Sequence, residues 1–443
     1  MTTIVRPPIR DLVPRGAPTI VSSDVSGQLR VVAVRRPSVP LVEARLVVPL
    51  GPDQISNSAG PLVLSESLLA GTEDRDRAEI ASTVERLGGT LGVGINLDAF
   101  IVGASALAEN FTELLTLIGE VLVSATFPSA EVSADRARIA DEVAIALSRP
   151  ETIADELFDA AIYAGHPYAT PIPRPAAIRR VTSPALRDLR RKVISSRGAT
   201  LVVVGDVRTR DVAPVAEDAL GAWIASSRRK ATGLPRVKDV EPGPLRLRDR
   251  PGAVQSNLRL GASAPDRMST DWPATALATL VIGGMFTSRL VTNLRERNGY
   301  SYSPRLRVHH GRAGSVSTFT AEVATDVTAA SLIESRYEFG RAAATGIEQD
   351  ELDAARRYAI GTFLASTATQ SGLASTLARL LADEVEPGYL ASYPASLRRV
   401  TLSEVDEAAR KFLAPSRFTT IVVGDAERVA SQLAIVEEFV EAV

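Results

Sequence analysis

"RRVTSPALRDLRRKVISSRGATLVVVGD", residues Arg179–Asp206, returns 219 positions later as "RRVTLSEVDEAARKFLAPSRFTTIVVGD", Arg398–Asp425. The two stretches align without a gap, and 11 of 28 positions are identical, among them Arg179/Arg398, Thr182/Thr401, Lys192/Lys411 and the closing Gly205-Asp206/Gly424-Asp425. Each copy reads as a helix feeding a β-branched strand that stops at a Gly-Asp turn. A period this long marks two homologous domains rather than a solenoid of short units. That division suits a chain of 443 residues, which is too long for one ordinary core.

The rest of each half follows one plan. In the first, "QLRVVAVRRP" and "LVEARLVVPLG" (28–37 and 41–51) read as adjacent strands before an opening helix. "RAEIASTVERLGG" is a helix stopped by glycines, and "TLGVGINLD" with "AFIVGASALA" reads as a hairpin. Two amphipathic helices follow, "NFTELLTLIGEVLVSA" and "EVSADRARIADEVAIALSRP". In the second half, "QSNLRLGASAP" is a strand and "WPATALATLVIGGMFTSRLVTNLRERNG" is mostly helical. "YSYSPRLRVHH" and "SVSTFTAEVA" are strands, and "DELDAARRYAIGTFLAS" is a long helix. The expected fold class is α+β: two homologous domains, each a mainly antiparallel sheet with helices packed on one side. The expected boundaries are an N-terminal extension over 1–27, a first domain over 28–225, a Pro/Gly-rich linker over 226–252 and a second domain over 253–443.

Composition narrows the function. A net charge of -2 gives no broad basic field for nucleic acid or anionic membrane, so neither is an expected partner. With no cysteine, the chain has no disulfide, thiolate metal site or cysteine nucleophile. The start, "MTTIVRPPIRDLVPRGAP", lacks the apolar core of a signal peptide, and no run reaches the roughly 18 apolar residues of a membrane span. A soluble, cytoplasmic protein is expected.

Chemistry concentrates in two stretches. The opening helix, "GPLVLSESLLAGTEDR" (Gly60–Arg75), carries Glu66 near its middle and closes on Gly71-Thr72. In the second half, "GGMFTSRLVTNLRERNGYSYSPRL" (Gly283–Leu306) holds Arg295 and Tyr302 seven residues apart. "VIGGMF" lacks the lysine and glycine spacing of a phosphate loop, so nucleotide binding is not expected.

With these motifs, the chain from about Val31 to about Val429 resembles the pitrilysin/insulinase family of zinc peptidases. In that family the opening helix carries H-x-x-E-H: two histidines on one helix face bind zinc, the glutamate activates the metal-bound water, and a later helix supplies a glutamate as third ligand. Here the framework is present without the histidines. Placing Glu66 on the family's glutamate puts Val63 and Ser67 where histidines belong; the helix is expected to pack through Leu62, Leu64, Leu68 and Leu69, with Val63, Ser65, Glu66 and Ser67 in place of the catalytic face. Anchoring on Gly71-Thr72 instead puts Leu62 and Glu66 there, with Ser65 in the general-base position. Glu142 sits near the spacing of the distal glutamate. The chain's three histidines lie elsewhere. His166, in "YAGHPYATP", reads as part of a structural turn, and the adjacent His309 and His310 point to opposite faces of a strand. No metal is therefore expected on this chain.

The Gly283–Leu306 stretch is similar to the family's second-domain signature, whose Arg/Tyr pair contacts bound peptide across the cleft from the metal. By that resemblance Arg295 and Tyr302 are the substrate-binding residues, and Tyr300 shares strand parity with Tyr302. Some bacterial members, like mitochondrial processing peptidase, are heterodimers in which one subunit holds zinc and the other supplies the Arg/Tyr pair. The resemblance implies a chain of the second kind, inactive alone. Its implied partner is a homologous HxxEH-bearing subunit that carries the zinc, and its substrate a peptide in an enclosed chamber. The alternatives are a non-catalytic assembly protein like respiratory-complex core subunits, or a homodimeric peptide-binding module. The peptide cut is not specified by any of these residues.

Overall fold

The computed structural model describes residues 18–228 and 233–442. Residues 1–17 of the expected extension and 229–232 of the expected linker lie outside the described residues. The first sheet is built from β1 (Ile20–Val25), β2 (Leu29–Arg35), β3 (Leu41–Pro49), β4 (Thr90–Ile95), β5 (Ala99–Leu107) and β6 (Ala199–Gly205). The second is built from β7 (Leu245–Asp249), β8 (Gln255–Ala264), β9 (Arg305–Gly311), β10 (Gly314–Ala324), β11 (Thr419–Gly424) and β12 (Phe439–Glu441). Their orders are β1-β2-β6-β3-β5-β4 and β12-β7-β11-β8-β10-β9, one arrangement of five strands used twice with a different edge strand. Only β2–β6 is parallel in the first sheet, while β7–β11 and β12–β7 are parallel in the second. The class is α+β with two homologous domains, as the repeat implies.

Several expectations are corrected. β2 and β3 are not neighbours, because β6 lies between them, parallel to β2 and antiparallel to β3. The reason is burial: Leu201, Val202, Val203 and Val204 are buried on both faces, as a central strand requires. Ile20–Val25, inside the expected extension, is β1, and Leu245–Asp249, inside the expected linker, is β7. β12 arrives from the C-terminus to hold the edge that β1 holds in the first domain. Residues 300–304 precede β9 rather than belonging to it. The repeated Gly-Asp has a steric cause: a Cβ at Gly205 would run into the Leu41 carbonyl, and one at Gly424 into the Ser256 hydroxyl.

The sheets are also not bare on their second faces. Val32, Val34, Val47, Val202 and Val204 of the first sheet pack against Leu373 and Leu377 on helix Gln370–Ala382 of the second domain. Reciprocally, Ala154, Phe158 and Ile162 on helix Pro150–Ile162 of the first domain cover Val316, Ile421 and Val423 of the second sheet. Each domain therefore lends the other a helix. Polar contacts reinforce the exchange: Arg259, nearly fully buried, donates to Asp155 at 2.6 Å, and Gln370 donates to the Arg36 carbonyl at 2.5 Å. The helical stretch Trp272–Arg297 is apolar enough to cross a membrane by length and composition, but 78% of its apolar window is buried inside the protein. It is a core helix.

One exchanged helix carries an unusual acid. Burial, then the charges of Asp155 and Glu156, pushes the Asp159 carboxyl up to about 7. The folded chain thus keeps a proton that the unfolded chain gives up near pH 3.8, so this contribution to stability is lost as pH rises from there to about 7. Asp159→Asn, which cannot ionise, should raise the melting temperature at about pH 8 and leave it unchanged at about pH 4. Thermal melts at the two pH values check this.

Candidate functional site

The opening helix runs Ala59–Ser67 and packs against helix Ser129–Ser148. Leu64 and Leu68 are fully buried in the first core, and Leu62 and Leu69 pack against it partly exposed. Val63 and Ser67 are equally inaccessible, at 0% exposure, and Ser65 is buried. The Ser67 hydroxyl donates to Asp135 at 2.8 Å, and Arg77 shares that carboxylate at 2.8 Å. Glu66, by contrast, is exposed and faces the later helix. Arg138 donates to Glu66 at 2.6 Å and to both oxygens of Glu142 at 2.9 and 3.2 Å. The Arg138 side chain is raised further above its usual range by hydrogen bonding to Glu66 first and Glu142 second.

This geometry separates the two alignments. It brings Glu66 and Glu142 onto one guanidinium, and it leaves Val63 and Ser67 in the core. In the Gly71-Thr72 register the histidine positions Leu62 and Glu66 are half-buried and exposed, while Ser65 at the general-base position is buried. Zinc does not fit these residues: Leu62, Val63 and Ser67 offer no imidazole, and the two carboxylates are already bridged by the Arg138 guanidinium. Among the described residues no group of three or more His, Asp or Glu side chains is arranged to hold a metal ion. A substitution test follows. Val63→His with Ser67→His should destabilise the chain by several kcal/mol, because two imidazoles cannot be accommodated in a closed core. Leu62→His with Glu66→His should melt within a few degrees of the parent. Comparing the two melting curves decides between the registers.

His166 and His310 have structural partners. His166 caps a short turn by accepting from the Tyr168 N–H at 3.1 Å, and its other nitrogen meets the Pro235 carbonyl at 2.9 Å. Tyr168 donates to Asp98 and accepts from the Ala313 N–H at 3.2 Å, tying the first domain to the β9–β10 turn. His310 lies edge-on to Trp272 at 4.3 Å, and burial first, then Arg267, pushes it down to about 2, so it stays neutral.

Arg295 and Tyr302 do come together. The core helix widens into a π-turn over Thr292–Arg297, which carries Arg295. Gly299, at φ +64, then reverses the chain, and the Tyr300 N–H returns to the Leu294 carbonyl at 2.7 Å. The reversal lays the Tyr302 ring 4.8 Å from the Arg295 guanidinium carbon, and Tyr302 is 81% exposed. Tyr300 does not share this face. It packs half-buried against the second core, because the segment is not a strand and parity does not apply. Two participants were not singled out in the sequence. Arg138 stands four residues before Glu142, the spacing of a helical ion pair. Phe286 follows Gly283-Gly284 and lies 4.9 Å from Arg295; an aromatic beside the Arg motif was its only signal.

Two family models match the chain: one described as Insulinase (Peptidase family M16) over residues 31–176, and one described as Peptidase M16 inactive domain over 180–358. The chain belongs to the insulinase (M16) peptidase family. An uncharacterized zinc protease of Mycobacterium tuberculosis is 25% identical over 415 residues, covering 90% of this chain and 91% of that protein. One of Mycobacterium leprae is 24% identical, with 64% of each chain covered, and one of Bacillus subtilis is 23% identical over 54% of this chain and 58% of that protein. Among solved structures, a peptidase M16 inactive domain from Pseudomonas fluorescens superposes with a TM-score of 0.84 at 21% identity, over 91% of this chain and 98% of that one. A protease from Helicobacter pylori gives 0.82 at 18%, over 92% and 100%. At these identities the structural likeness establishes the M16 fold.

Proposed function

We propose that this M16 chain is the non-catalytic, substrate-binding subunit of a heterodimeric zinc peptidase. The observation that carries the reading is an asymmetry between its two motifs. The two carboxylates of the degenerate zinc motif, Glu66 and Glu142, are bridged by Arg138. The Arg295/Tyr302 pair is assembled and open to solvent. Such a pair suits peptide: the guanidinium donates to carbonyl oxygens, and the phenol donates to an oxygen on which charge develops during attack. The metal-bound water that attacks would belong to a homologous HxxEH-bearing partner. Together the two chains would enclose a peptide, in the cytoplasm.

The reading is tested with separate and mixed subunits. The isolated chain should carry no stoichiometric zinc and hydrolyse no peptide, and the mixture with its HxxEH-bearing homologue should hydrolyse peptide faster than that homologue alone. A homologue with its full rate in the absence of this chain would refute the assignment.

A further inference from the structure

Arg295 has a second aromatic neighbour that the substrate-binding reading does not use. Phe286 is 68% exposed, an unusual state for a phenylalanine with a core helix beside it. Its ring centroid lies 4.9 Å from the Arg295 guanidinium carbon, and that of Tyr302 lies 4.8 Å away. Two rings thus flank one guanidinium, and stacking of this kind fixes the plane in which its N–H groups point. Nε faces the neighbouring Glu296 at 3.2 Å. The two terminal nitrogens meet no acceptor among the described residues, so the fork is oriented and open.

We propose that Phe286 completes the substrate-contact group, and that Phe286, Arg295 and Tyr302 together select a carboxylate carried beside an apolar side chain. This names the substrate class of the site described above and rests on that reading. The chemistry is one of matching geometry. A planar carboxylate takes both terminal N–H groups at once, whereas a lone peptide carbonyl uses part of the fork. The exposed Phe286 and Tyr302 rings offer apolar area for the residue next to the acid. Arginines are also frequent in the sequence around the motif. Arg297, Arg305 and Arg307 are exposed and have no ion-pair partner among the described residues, and Arg307 is lowered by desolvation first and by the charge of Arg305 second. Glu296 is the one acid that pairs with Arg295 among the described residues. The carboxylate has two possible sources, an Asp or Glu side chain and a peptide C-terminus.

The test uses short Ala/Leu peptides in matched pairs: a central Glu against Gln, and a free C-terminal acid against its amide. Binding is measured on the isolated chain, and kcat/KM on the mixture with the partner. The acid of at least one pair should be preferred about tenfold or more, the range for a hydrogen-bonded charge, and the pair that discriminates identifies the source. Phe286→Ala should reduce that preference to within about twofold while leaving the melting temperature unchanged, because the ring is on the surface. Arg295→Lys should do the same, since it keeps the charge and loses the fork. Equal treatment of acid and neutral peptides in both pairs would overturn the proposal, as would undiminished preference in Phe286→Ala. Failure of the subunit reading is separable: there, Arg295→Ala with Tyr302→Phe leaves hydrolysis by the mixture unchanged, while binding to the isolated chain still reports on the carboxylate.

Discussion

Arg295→Ala combined with Tyr302→Phe should lower partner-dependent peptide hydrolysis by about 10²-fold or more, the loss typical of removing preorganised donors from a reacting oxygen. Stability should barely move. Tyr302 is largely exposed, and among the described residues the only ion pair of Arg295 is with the adjacent Glu296, the kind of surface pair worth about 0–1 kcal/mol. The kinetic form of the loss separates the two groups. Tyr302→Phe alone should depress kcat with little change in KM, because a phenol meeting developing charge acts in the transition state. Arg295→Ala should also raise KM, because a guanidinium on ground-state carbonyls or a carboxylate contributes to binding before attack. Rates measured over a range of peptide concentrations, with melting curves for each variant, check both parts.

Leu377→Ala should destabilise the chain by about 2–5 kcal/mol. Leu377 is fully buried on helix Gln370–Ala382, the segment that the second domain lends to the first sheet, where it packs in one cluster with Val47, Val202 and Val204. Its removal leaves a cavity between domains, so it weakens their union and the first sheet together. Unfolding of the parent is expected to be cooperative across both halves, because each sheet is covered on one face by the other's helix. Chemical denaturation checks this: Leu377→Ala should shift the midpoint, and a separate early transition for one domain would show that the exchange does not couple them.

The duplication was the part of the fold most legible in the sequence, because the repeated helix and strand keep their side-chain pattern and their Gly-Asp stop. The exchange of helices was not. Pro150–Ile162 and Gln370–Ala382 have ordinary amphipathic patterns, and nothing in a pattern says that the apolar face meets a sheet from the other half. Strand order was misjudged for a related reason: β6 is separated from β2 and β3 by more than 140 residues, and insertion between them is a long-range event. At the site, the Arg295/Tyr302 spacing was legible because a local reversal at Gly299 brings the two together. The register of the opening helix was not, since both alignments place apolar and polar residues at plausible positions. It took the neighbouring helix, with Arg138 between Glu66 and Glu142, to separate a core face from an accessible one. Phe286 escaped because an exposed aromatic in a turn within an apolar segment contradicts the expectation that such residues are buried.

The central claim is that the metal and the Arg/Tyr pair belong to different chains. It is tested most directly by titrating the parent chain, and in parallel its Arg295→Ala/Tyr302→Phe variant, into a fixed amount of the zinc-bearing partner while following peptide hydrolysis. The account predicts that the parent raises the rate to a plateau at equimolar mixing, and that the variant, although folded and bound, leaves the rate near that of the partner alone. A partner already at its plateau before any addition, or a variant that restores the full rate, would contradict it.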